Sequence, residues 1–70
     1  MFALNLKAQR RIHGLSQENL ANLAGLDRTY VSLLERRAYS VSIDVVDRLA
    51  RALGVEAADL LKRPPRSGAG

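Results

Sequence analysis

A chain of 70 residues with a net charge of +4 and a pI near 10.4 has room for one small domain with a modest core. No second domain is expected within these residues, and the basic balance favours a polyanionic partner. With no cysteine, disulfide and thiolate-metal chemistry are excluded; with no apolar run near the roughly twenty residues of a bilayer span and no secretion layout, a cytoplasmic location without membrane attachment is expected.

Residues 2 to 13 suit a helix, with Phe2 and Leu6 on one stripe, Ala8 and Ile12 on an adjacent one, and Lys7, Arg10 and Arg11 among its polar positions. Gly14 closes it and Leu15 covers the junction. Ser16 is placed to cap a second helix through Leu20, Leu23 and Ala24, which ends at Gly25. Asp27 offers a fresh cap two residues later, so a third helix starts near Arg28. At 3.6 residues per turn, Tyr30, Val31 and Leu34 share one arc of this third helix, while Arg28, Thr29, Ser32, Leu33 and Arg36 take the opposite one. The first arc suits a core. The second supplies forked donors and short hydroxyls, which fits base edges and phosphates, and equally fits a face turned to water.

Glu35 lies on the flank of the inner arc and needs a cation or hydrogen bonds there. Arg10 is the candidate partner, in a structural pair that would lock the first helix to the third; the alternative is that both side chains reach water. Ser42 can cap a fourth helix from Ile43 to about Leu53, with Ile43, Val46, Leu49, Ala50 and Leu53 on one apolar face and Val45 off it. Asp44 and Asp47 in its early turns and Arg51 in its last suit the helix dipole. Gly54 ends this helix, Val55 covers the interior, and Glu56 to Lys62 form a short fifth helix carrying Leu60 and Leu61. The domain therefore covers residues 1–63, and 64–70, opening with Pro64 and Pro65, read as a mobile tail.

His13, Ser16 and Asp27 are the residue types of a hydrolytic triad, but the serine and aspartate are better used as caps, and no strand-turn element presents a nucleophile. One histidine and scattered carboxylates make no compact metal set, and no glycine-rich phosphate loop is present, so neither enzyme activity, metal nor cofactor is expected.

The run from Leu15 to Glu35 resembles the helix-turn-helix of the phage repressor and Cro superfamily, the XRE family, with serine, glutamine, alanine, glycine and glutamate at matching offsets. Through Asp27-Arg28-Thr29-Tyr30 it is most similar to restriction–modification controller proteins. The resemblance spans about residues 4 to 62 and implies an all-α, five-helix lambda-repressor-like bundle in which helices two and three read DNA. It implies that Arg28, Thr29, Ser32 and Leu33 face base edges, Arg28 by a bidentate contact with guanine, and that Gln17 touches a phosphate or an outer base. Leu33 fits a thymine methyl or a lone exposed apolar residue. Where many relatives have glycine and proline, this chain has Arg37 and Val41, which reshapes the exit from the third helix. Arg36, Arg37, Tyr39 and Ser40 are candidate phosphate ligands there, against plain solvation.

Relatives bind palindromic sites as homodimers, and Val41, Val45, Val55 and Leu61 are the candidate interface residues, against ordinary core or rim packing. The expected function is a sequence-specific DNA-binding transcriptional regulator whose partners are double-stranded DNA and a second copy. A site overlapping the polymerase footprint would make it a repressor, and contact with RNA polymerase through a surface such as Glu18 or Asp44 an activator; the sequence leaves both open. The alternative is a protein-interaction module, an antitoxin or adaptor, on the same fold.

Overall fold

A computed structural model describes residues 2–36 and 41–62. Five helices run through them: α1 Phe2–Ile12, α2 Gln17–Ala24, α3 Arg28–Arg36, α4 Ile43–Leu53 and α5 Ala57–Leu61. The starts of α2, α3 and α4 follow from side-chain capping of backbone groups that a helix end leaves unpaired. Ser16 Oγ accepts the Asn19 N–H at 2.9 Å, and Ser42 Oγ accepts the Val45 N–H at 3.1 Å. Asp27 starts α3 by accepting the Thr29 N–H on Oδ1 at 2.7 Å, while its carbonyl receives the N–H groups of Tyr30 and Val31. Between them Gly25 takes φ 70°, a left-handed conformation that costs a residue with Cβ about 1 kcal/mol. That turn lets Leu26 donate back to the Ala21 carbonyl at 2.8 Å and tuck its side chain partly into the core, so α3 leaves α2 at a fixed angle.

The centre of the molecule is built from one fully buried aliphatic side chain per helix: Leu6, Leu20, Val31, Leu49 and Leu60. Each contributes roughly 1.5–3 kcal/mol through loss of water contact. Phe2, Leu34, Val46 and Leu53 surround them. α3 packs mainly against α1 and α2, and α5 mainly against α1 and α4.

Several apolar residues assigned to the interior by spacing lie outside it. Ile12 is exposed, as is Ala8. Ile12 projects at nearly the same angle as Asn5 but two turns further on, about 10 Å beyond the place where α5 covers α1. Leu23 is exposed because it sits about 60° to one side of the Leu20–Ala24 arc. Ile43, 88% exposed, occupies the first position of α4, where the helix extends past the core. Val45, placed off the inner face, is half-buried against the core, since it stands only about 40° from Leu49. Of the α5 pair, Leu60 is buried and Leu61 exposed.

The polar interior contains a residue that patterning did not single out. Asn5 is buried on α1, and its Nδ2 donates to the Leu60 carbonyl at 3.0 Å and to the Lys62 carbonyl. These groups end α5 and have no partner within so short a helix. Among the described residues no helix is long and apolar enough to cross a membrane. The expected tail, 64–70, lies outside the described residues.

Candidate nucleic-acid interface

The amphipathic split of α3 is the basis of the site. Tyr30, Val31, Leu34 and Glu35 face inward, Val31, Leu34 and Glu35 being buried. Arg28, Thr29, Leu33 and Arg36 are exposed and Ser32 is half-buried, all within an arc of about 140°. One side of a nine-residue helix therefore carries two guanidinium groups and two hydroxyls on a backbone held from behind.

That support includes charge. Glu35 accepts from Arg10 Nε, from Arg10 Nη2 at 3.0 Å and from Gln17 Nε2 at 3.2 Å. Arg10 Nη1 also donates to the Leu15 carbonyl at 2.7 Å. The side chains of Arg10 and Glu35 are 12% and 3% exposed, so the alternative in which both reach water does not hold. Hydrogen bonding to Glu35 holds the Arg10 guanidinium more firmly protonated than usual; burial opposes this and the opposite charge adds to it. The network ties α1, the start of α2 and the end of α3 at one point.

Gln17, to which the resemblance gives a contact with a phosphate or an outer base, is half-buried with its amide nitrogen on Glu35. The sequence signal for this was available: a buried carboxylate has acceptor capacity beyond one arginine. Arg37, Tyr39 and Ser40 lie outside the described residues. Val41, Val45 and Val55 are half-buried against the core, whereas Leu61 stands 54% exposed.

The residues of the triad reading are engaged elsewhere. Ser16 and Asp27 accept from helix N–H groups, and His13, just past the end of α1, has Nδ1 2.8 Å from the Gln9 carbonyl of that helix. Charge is also less evenly spread than the sequence suggests. Among the described residues, Arg48 pairs with Asp44, Arg51 with Asp47 and Lys62 with Asp59, while Arg28 and Arg36 on α3, like Lys7 and Arg11 on α1, have no carboxylate partner. Unpaired positive charge therefore stands on the outer side of α3 and on α1, and not on α4 or α5.

An α2 packed on the core along one side, a glycine turn and an outward-facing α3 braced by an ion pair are the geometry of a helix-turn-helix, and the sequence matches the family of that description over residues 6–60. The chain belongs to the helix-turn-helix family, of the repressor and Cro (XRE) type. This is a family of DNA-binding regulators rather than of enzymes. The chain is 44% identical over 64 residues to a hypothetical transcription factor of Neisseria meningitidis serogroup B, covering 91% of this chain and 60% of that protein's length. It is similar to the crystal structure of the restriction-modification controller protein C.AhdI from Aeromonas hydrophila, with 46% identity and a TM-score of 0.81 over 84% of this chain and 89% of that one. It also resembles SinR of Bacillus subtilis, a master regulator for biofilm formation solved in complex with DNA. There the identity is 30% and the TM-score 0.84, over 89% of this chain and all of that one.

Proposed function

We propose that this helix-turn-helix protein regulates transcription by binding a near-palindromic operator as a homodimer, each copy placing α3 in one of two successive major grooves. The observation that carries the reading is the outer side of α3, where Arg28, Thr29, Ser32 and Leu33 stand opposite a buried arc and beside unpaired positive charge. Arg28, at the N-terminal end of α3, would present its fork to guanine O6 and N7, with Thr29, Ser32 and Leu33 meeting neighbouring base edges. Arg36, together with Arg37, Tyr39 and Ser40, would take phosphates; Gln17, held by Glu35, would offer its remaining amide hydrogen to the backbone. The solved SinR–DNA complex and the likeness to C.AhdI support this reading, including a role in controlling a restriction–modification system. An activating contact with polymerase would fall to exposed Glu18 rather than Asp44, which is paired with Arg48.

Selection of bound sites from random duplexes, followed by competition binding, tests the assignment. Arg28→Ala should erase preference at one base position, a loss of roughly 1–3 kcal/mol per base contact. Arg36→Ala should weaken every sequence alike and flatten the salt dependence by about one unit per lost phosphate contact. Unchanged operator preference in Arg28→Ala would overturn the role of that side chain, and recovery of no preferred sequence by the unaltered chain would overturn the function.

A further inference from the structure

The buried amide of Asn5 joins α1 to the end of α5. Its two contacts reach the Leu60 and Lys62 carbonyls, 55 and 57 residues away, on either side of exposed Leu61. Five residues along the same helix, Arg10 grips Glu35 of the reading helix. α3 packs mainly on α1 and α2, and α5 mainly on α1 and α4, so the most direct mechanical route between α5 and α3 is α1. One helix thus carries two side-chain ties, one to each of the elements whose relative placement a dimeric reader must fix.

We propose that Asn5 is a specificity-determining positioning residue that sets the spacing between operator half-sites, by fixing the Leu61 end of α5 relative to α3 through α1. This rests on the dimeric reading above, with Leu61 at the subunit contact. In a two-fold dimer, the distance and angle between the two reading helices are set by how rigidly each is joined to the contact. Moving the half-sites by one base pair shifts them by about 3.4 Å and rotates them by about 34°. A rigid joint penalises that change and a loose joint absorbs it. Leu60 is fully buried and keeps α5 attached by apolar packing when the amide is removed, while two carbonyls lose the donors that fix its angle.

The probes are the duplex that the unaltered chain selects from a random pool, the same duplex with its half-sites one base pair closer or further apart, and a single half-site. Asn5→Ala, and Asn5→Ser as a milder variant that retains one donor, are compared with the unaltered chain after their helical content is checked. The expected result is unchanged half-site affinity and unchanged base preference, with the penalty for altered spacing reduced about tenfold in Asn5→Ala and less in Asn5→Ser, a size that lost buried hydrogen bonds can produce. A spacing penalty equal to that of the unaltered chain, in whichever variant folds, would overturn the proposal. If the unaltered chain binds the full site no better than a lone half-site, the dimeric reading fails and this inference with it. That outcome is read without any variant, so the two failures are distinct.

Discussion

Glu35 shows how one side chain can determine the usefulness of others. Its carboxylate is removed from water, and that cost is offset only because Arg10 donates from two nitrogens and Gln17 from one. Removing either partner of such a pair leaves a buried charge without its counterpart, which is more harmful than never having built the pair. Glu35→Ala is therefore expected to destabilise the fold by about 3–5 kcal/mol in urea unfolding, a large share of what a domain this size possesses. Glu35→Gln should cost less, because its amide oxygen can still accept from Arg10. Stability of Glu35→Ala within about 0.5 kcal/mol of the unaltered chain would show that the pair is solvated in solution. Arg28 needs no such support at its tip, since it is exposed, but the backbone that carries it is held through this network.

At the scale of elements, the ends of helices were the most legible part of the sequence, because a cap is a local event. Ser16, Asp27 and Ser42 each accept a backbone N–H two or three residues ahead, which spacing alone could anticipate. Gly25→Ala should accordingly cost about 1 kcal/mol in thermal unfolding from backbone strain, since an added Cβ would lie 3.8 Å from Arg48 Nη1 and meet no clash. A loss of several kcal/mol would mean that packing, not φ, governs the turn. The short α5 offers a pH-dependent counterpart. Asp59 is held below the ordinary aspartate range first by the Glu56 N–H and then by Lys62, with burial opposing. A carboxylate depressed in the folded state adds stability above its unfolded pKa and loses it as pH falls through the folded value. The Asp59 carboxyl should thus titrate below ordinary aspartate when followed by NMR, with the amide of Glu56 moving on the same curve; a midpoint at the ordinary value would exclude the contact in solution. What periodicity could not show was where each helix stops being covered. Ile12, Leu23 and Ile43 fall near apolar arcs of helices only eight to eleven residues long, and whether a neighbour reaches them depends on packing angles absent from the sequence. Asn5 was missed for the same reason, since its partners are backbone carbonyls more than fifty residues away.

At the scale of the whole molecule, four residues were candidates for a subunit contact and the fold separates them. Val41, Val45 and Val55 are half-buried against the chain's own core, so substituting them would confound assembly with stability. Leu61 is exposed at the end of α5 and belongs to no buried cluster, which makes it the clean probe. A single small module makes too few base contacts for strong selectivity, and two copies on one duplex combine their contacts because the second binding event is effectively intramolecular. Leu61→Asp places a charge where two copies would meet, about a two-fold axis that brings the same charge from the partner, while leaving α3 and its support untouched. At concentrations where the unaltered chain is itself monomeric, the variant's stability should stay within about 1 kcal/mol of that chain's, the cost of a carboxylate at a helix C-terminus. Sedimentation should show a shift toward monomer, and affinity for the full operator should fall by about one hundredfold or more, toward the value for a lone half-site. Equal affinity of Leu61→Asp and the unaltered chain for the full site would move the subunit contact away from α5.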